Sequence, residues 1–270
     1  MDATLSRPDD ATVETVLQVQ RVRHHFAARH MQLISREVVS PGFVRVTLGG
    51  ADLRDFHSDG FDDHVKLLLP APGQDKPNLP TLVDGRPHIE GERPIARDYT
   101  PVRWDRAKGT LVLEFALHDQ GPAARWATKA QMGDWVGIAG PRGSMVIPTE
   151  YDWHWLIGDD SALPAIERRL AELPASAKVA VRLKVRPADR RPLHSAAQVD
   201  LKWVDYLVVA TEDLPLPQQG QGYIWAAGEH SEMAAVRRVV LAKGAAPKQM
   251  RIAAYWKRGE VAHHEELVQE

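Results

Sequence analysis

Cysteine is absent from all 270 residues, which removes disulfides, thiolate nucleophiles, cysteine-held zinc and cysteine-held iron–sulfur clusters together. Long apolar runs are lacking too. None approaches the roughly 18 residues needed to cross a bilayer, so no membrane partner is expected. Neither sign of charge is in excess, with 34 Lys and Arg against 36 Asp and Glu and a formal net charge of -2; no global basic field draws the chain to nucleic acid. Met1 to Asp10 is polar and acidic, without the apolar core of a signal peptide, and this makes cytoplasm the default compartment. The pattern Gly-x-Gly-x-x-Gly is also missing, and with it the ordinary dinucleotide fingerprint.

What is present falls into two textures. After a polar N-terminus, Ala11 to Arg29 reads as a helix, with Val13, Val16, Leu17, Val19 and Phe26 at loosely helical spacing and a cluster of Arg and His. Residues 1–30 are therefore read as an extension. From Met31 short alternating strands follow, at Met31–Val39, Phe43–Leu48, His64–Leu69, Arg97–Arg103, Leu111–His118 and Trp135–Ala139. Pro41-Gly42 is a turn signal, and 72–94, rich in Pro, Gly and charge, reads as a surface loop. This half, 31–148, is expected to be an antiparallel β-barrel. Beyond Thr149 strands alternate with helices: strands at Trp153–Gly158, Val179–Val185, Trp203–Thr211, Tyr223–Gly228 and Met250–Trp256, helices from Asp159 to Leu173 and over Ser231–Lys243. That alternation predicts an α/β domain with a parallel sheet over 149–259, followed by a tail, 260–270.

Four stretches carry candidate chemistry. Arg97-Asp-Tyr-Thr sets a guanidinium, a phenol ring and a hydroxyl beside one another on one extended segment. The trio suits a flavin, because the guanidinium can pair with a pyrophosphate and the ring can lie against an isoalloxazine; a strand with an exposed Arg and a packed Tyr would look the same. Next, Gly121-Pro-Ala-Ala-Arg-Trp126 starts a short helix, whose unsatisfied N–H groups at the positive end of its dipole can hold an anion, or which is a plain strand-turn-helix junction. Last, Gly158-Asp-Asp-Ser-Ala-Leu-Pro and Ala226-Ala-Gly-Glu-His-Ser place small and capping residues at the carboxyl ends of parallel strands, where open α/β sheets bind ligands, with Ser161 and Ser231 as N-cap candidates.

An antiparallel barrel with Arg-x-Tyr-Thr, followed by an α/β domain, resembles the ferredoxin-reductase superfamily of flavoenzymes. Arg97-Asp-Tyr-Thr, Phe115-Ala-Leu-His118, Gly121-Pro-Ala-Ala-Arg-Trp126, Gly140-Pro-Arg-Gly143, Gly158-Asp-Asp-Ser-Ala-Leu-Pro-Ala165, Ala227-Gly-Glu229 and Tyr255-Trp-Lys-Arg-Gly259 resemble, in order, the motifs of siderophore-interacting proteins, FAD-dependent ferric-siderophore reductases. The resemblance implies that Arg97 holds FAD phosphates or the ribityl chain, Tyr99 stacks on the isoalloxazine and Thr100 sits near its reactive nitrogen. It implies that His118 borders the adenosine, that Gly121, Ala123 and Ala124 offer backbone donors to the pyrophosphate, and that Trp126 packs beneath. The turns at Asp159, Ser161 and Ala162 and at Gly228 and Glu229 would form the nicotinamide groove. Lys66, Lys257 and Arg258 would receive an anionic ferric siderophore, and no iron ligand set in the protein is required.

Two departures stand out. Many members carry Arg directly after Tyr-Thr-x, where this chain has Val102 followed by Arg103; in a strand a shift of one residue changes the face. At the end of the second strand of the α/β half, where family members often carry an acid, stand Lys184 and Arg186, with Arg190 beyond, any of which would suit a 2′-phosphate and so NADPH over NADH. The expected partner is a ferric siderophore, with reduction by nicotinamide or by a ferredoxin; a flavin-bearing siderophore carrier without turnover is the reading from another class. A monomer is expected.

Overall fold

The computed structural model describes residues 17–50, 53–117, 121–260 and 265–266. The first half is a seven-stranded antiparallel sheet curled into a half-barrel. Its members are β2 (Ala28–Ser40), β3 (Phe43–Gly49), β4 (Val65–Leu69), β7 (Ile95–Tyr99), β8 (Pro101–Asp105), β9 (Thr110–Ala116) and β10 (Trp135–Ala139), in the order β7-β4-β10-β2-β3-β9-β8. The two edges, β7 and β8, are consecutive in the chain and joined at Thr100. Inward residues of every other position, among them Met31, Leu33, Val46, Leu48, Leu67, Leu113, Phe115 and Ile138, fill the barrel. One end is covered by helix α1 (Pro122–Lys129), which buries Ala123 and Ala127 four residues apart.

The helix expected over Ala11–Arg29 is not formed in its described part. Gln20–Arg23 is strand β1, paired antiparallel with β11 (Gly143–Val146), and β2 already begins at Ala28. From Val22 to His25 burial alternates residue by residue, with Val22 and His24 turned inward and Arg23 and His25 outward, so cross-strand pairing overrides the loose helical spacing. The loop over 72–94 contains a hairpin, β5 (Thr81–Val83) and β6 (Arg86–His88). Asp84 and Gly85 turn it with φ of 49° and 73°, the pair of positive angles that an Asp-Gly turn supplies.

The second half is a parallel sheet. β12 (Trp153–Asp159), β13 (Lys178–Lys184), β14 (Gln198–Trp203), β15 (Gly222–Glu229) and β16 (Met250–Trp256) stand in the order β14-β13-β12-β15-β16, and β17 (Glu265–Glu266) adds antiparallel to the β16 edge. β12 and β15 are buried throughout, as strands covered on both faces must be. Helices α2 (Leu163–Glu172), α3 (Leu207–Glu212) and α4 (His230–Ala242) flank the sheet. The strand expected at Trp203–Thr211 is corrected: pairing with β13 ends at Trp203, and 207–212 is helix α3, in which Leu207 and Thr211 are buried four residues apart. The β-branched run there is thus overridden by the need to cover the sheet face. The switch in strand order falls between β12 and β15, where α/β sheets open a ligand crevice.

The halves are bound into one body. Phe43 and Phe61 from the barrel side sit in the same core as Ile166, Leu170 and Val181. Asp189 accepts from Ser40 Oγ at 2.7 Å and from Gly42 N at 2.6 Å, while Arg191 joins Glu114 to Glu167.

Candidate active site

A cavity of about 510 Å³ opens where the β7–β8 edge of the barrel meets the carboxyl end of the parallel sheet. Arg97, Tyr99 and Thr100 line it from one side, Gly121, Ala123 and Ala124 from above, and Ser161 and Tyr255 to Glu260 from the other domain. β7 places the first group by its register with β4, which pairs Leu67 with Arg97 and Val65 with Tyr99. The Tyr99 ring lies on Phe115 at a centroid distance of 4.2 Å, and Phe115 in turn on Trp126 at 5.8 Å. Burial raises the Tyr99 phenol well above its ordinary value, against the pull of the Arg97 guanidinium, so the ring is neutral at any working pH. Thr100 is buried and hydrogen-bonds the Tyr255 hydroxyl, itself raised by burial and by the nearby Asp62 charge. Arg97 Nη1 donates to Ala96 O at 2.6 Å.

Helix α1 starts at the cavity without protection. Gly121 is its N-cap with no side-chain hydrogen bond, Pro122 follows, and the first turn holds no acid. A Cβ built on Gly121 would meet no protein atom within 4 Å, so the space in front of these N–H groups is open. Arrangement and chemistry both suit an anionic group there. Trp126 does not face this cavity. It borders a second one, of about 630 Å³, on the far side of α1, together with Arg125, Trp135 and Gln74, whose buried Oε1 has no hydrogen-bond partner. His118 lies outside the described residues. Arg103 is exposed beyond a bulge in the β8–β9 pairing at Pro101/Arg103 and is not brought to the cavity wall.

The cations arrive paired. Lys66 Nζ lies 2.8 Å from Asp98 Oδ1, Lys257 pairs with Glu260, and Arg258 lines the mouth beside them. His64 also lines the cavity, its imidazole held below its ordinary pKa chiefly by burial, against the pull of Asp98. Asp98, Glu260 and His64 were not read from the sequence as site residues; for Asp98 the missing signal was the β4–β7 register, which sets Lys66 opposite it.

Of the residues expected to form the nicotinamide groove, Ser161 alone lines the cavity. Ala162 is fully buried, and Lys184 pairs with Glu232 at 3.0 Å. Ser161 and Ser231 are not the N-caps expected. Asp159 caps the turn at 160–162, accepting from Ser161 N at 2.9 Å and from Ser161 Oγ, and Glu229 caps α4, accepting from Glu232 N at 3.1 Å and from Ser231 Oγ. A carboxylate has acceptors enough for hydroxyl and backbone together, so the hydroxyls become donors. Burial alone would raise the Glu229 carboxyl, but the donors from Ser231, Glu232 and Arg258 hold it below the usual range.

Residues 32–145 match the siderophore-interacting FAD-binding domain, and residues 151–259 match the siderophore-interacting protein domain. The chain is 36% identical to an NADPH-dependent ferric-chelate reductase of Escherichia coli over 88% of its own length and 96% of the relative's. This chain belongs to the siderophore-interacting protein family. A ferric vibriobactin reductase of Vibrio cholerae is similar at 32% identity, over 88% of this chain and 93% of the relative. Among solved structures, a siderophore utilization protein from T. fusca superposes with a TM-score of 0.83 at 33% identity, over 91% of this chain and 98% of that one. More distant ferredoxin reductases share the fold. FAD is the family's cofactor, and the open α1 terminus beside Arg97, Tyr99 and Thr100 fits it.

Proposed function

We propose that this chain is an FAD-dependent ferric-siderophore reductase, passing electrons from a nicotinamide donor to Fe(III) held by an anionic chelator. The observation that carries the reading is the single cavity in which Tyr99, Thr100, an uncapped helix start and the cations of two domains converge. Bound flavin takes two electrons as a hydride and releases them one at a time, which is what iron requires. The protein supplies the setting. Arg97 and the N–H groups of Ala123 and Ala124 bind phosphate, Tyr99 packs on the ring system, and Thr100, fixed by Tyr255, orients its edge. The cavity behind α1, with Trp126 and the unpartnered Gln74 Oε1, receives the adenosine half. Lys66, Lys257 and Arg258 draw the anionic ferric complex to the mouth.

NADPH is the donor that the cation at the end of β13 favours, since Lys184 there can meet a 2′-phosphate by exchanging Glu232 for it. The E. coli relative's name, NADPH-dependent ferric-chelate reductase, supports this choice. A second reading, a one-electron donor such as a ferredoxin, is favoured by one feature: both βα turns present carboxylates, Asp159 and Asp160, Glu229 and Glu232, where a dinucleotide phosphate needs donors. One chain completes the cavity, so a monomer suffices. Among the described residues no helix is long and apolar enough to cross a membrane.

Anaerobic titration separates the readings. NADPH is expected to bleach the flavin absorbance faster than NADH, and addition of a ferric catecholate with a ferrous trap to restore the yellow form and yield two Fe(II) per NADPH. Failure of both nicotinamides to bleach, with reduced ferredoxin succeeding, would establish the second reading.

A further inference from the structure

Strand β16 leaves the sheet at the site. Its pairing with β15 slips between Gly228 and Glu229, Glu229 then pairs with Trp256, and the strand ends there, so the ladder does not hold Lys257 onward. Two carboxylates take over. Asp159, 3% exposed, uses Oδ1 for Ser161 N and Oγ, and Oδ2 for Glu229 N at 3.0 Å and Trp256 Nε1 at 2.8 Å. Glu229, 8% exposed, uses Oε2 for the α4 terminus and Oε1 for Arg258 N at 3.4 Å. Gly228 must lack a side chain, because a Cβ there would come within 2.7 Å of Asp159 Oδ2. Lys257 lies between the two tethered residues.

We propose that Asp159 and Glu229 are positioning residues for the cationic segment Trp256–Arg258, and so set the affinity for the ferric substrate rather than for the nicotinamide donor. The inference rests on the reductase reading above, and it gives these two acids a different task from the dinucleotide groove that the resemblance implies. Both acids are low in exposure and neither lines the cavity, so each acts through the residues it holds. Anionic dinucleotide phosphates gain nothing from carboxylates at these turns, whereas an indole N–H and a backbone N–H at the start of a cationic loop do.

Asp159→Asn separates the two roles, because its amide cannot satisfy the pairs of N–H donors on both sides of the group. In holoenzyme with normal flavin content, the KM for an anionic ferric tris-catecholate is expected to rise about tenfold, the loss of one hydrogen bond to a buried charge. kcat, and the rate and NADPH dependence of anaerobic flavin reduction, are expected to stay within about twofold. Glu229→Gln is expected to act in the same direction and less, since its bond to Arg258 is long. Trp256→Phe removes one donor and leaves Asp159 its other partners; it is expected to raise the same KM, and the double variant Asp159→Asn with Trp256→Phe to be no worse than Asp159→Asn alone. A weaker NADPH dependence in Asp159→Asn with an unchanged ferric KM would overturn the inference, as would additive effects in the double variant. If Asp159→Asn does not retain flavin, an unchanged ferric KM in Trp256→Phe overturns it. Wild-type protein without flavin or ferric reduction would instead sink the reductase reading.

Discussion

Lys66 meets the cavity with its charge already shared. Its side chain is 55% exposed and Asp98 20%, and such a pair contributes up to about 1 kcal/mol once solvent screening is counted. An anionic chelate must compete with Asp98 for the ammonium. Asp98→Asn is therefore expected to lower the ferric-siderophore KM by about two- to fivefold in low salt, with the gain shrinking as ionic strength rises. Steady-state reduction at two salt concentrations checks this, and an unchanged or raised KM would mean that Lys66 does not touch the substrate. Arg-x-Tyr-Thr was legible as a candidate because it keeps several chemistries in a short span, whereas the closing Tyr-Trp-Lys-Arg stood out only through the family resemblance. Their partners were not legible. Asp98, Glu260 and Glu232 are ordinary surface acids until a strand register or a helix end sets them against a cation.

At the scale of the element, α1 has the features that would suit an anion site: a glycine cap, a proline and small residues in the first turn. An acid in that turn favours the helix dipole by about 0.3–1 kcal/mol and at the same time opposes a bound phosphate. Ala124→Asp, at a half-buried position, is thus expected to leave the melting temperature of the flavin-free protein unchanged or slightly raised and to weaken FAD binding by about tenfold or more. Calorimetric melting and flavin titration measure the two arms; unimpaired FAD binding would remove α1 from the site. Most elements could be read from alternation and turn signals. β1 and α3 could not, for opposite reasons. The first lies in a stretch whose apolar residues, on either side of it, mimic helical spacing until β11 pairs with the strand, and the second has the Val208–Val209 run of a strand but lies where the sheet face needs a lid.

For the whole molecule, a change in texture near Thr149 is readable from the residues, but not the depth of the seam between the halves. That seam holds buried acids. Asp62 Oδ2 accepts from Trp225 Nε1 at 3.0 Å and from Arg251 Nε at 2.6 Å. Burial raises its neighbour Asp63 to about 6, against hydrogen bonds from Ser144, Gly60 and Ser58. The folded state thus holds a proton that the unfolded chain has lost by then. The associated stability is full below pH 3.8 and is lost as pH rises through about 6. Asp63→Asn, which removes this titration, is expected to compare better with wild type at about pH 7.5 than at about pH 4.5, by about 2 kcal/mol. Urea unfolding at both values reads the difference, and a constant offset would refute it.

Phe43 and Phe61, barrel residues set into the packing beneath the parallel sheet, carry a consequence for engineering and for ancestry alike. A graft of this α/β half onto a foreign flavin barrel would arrive with two holes in its interior. The halves are expected to travel through evolution as a unit, their exchange barred by aromatic rings that the barrel lends its neighbour.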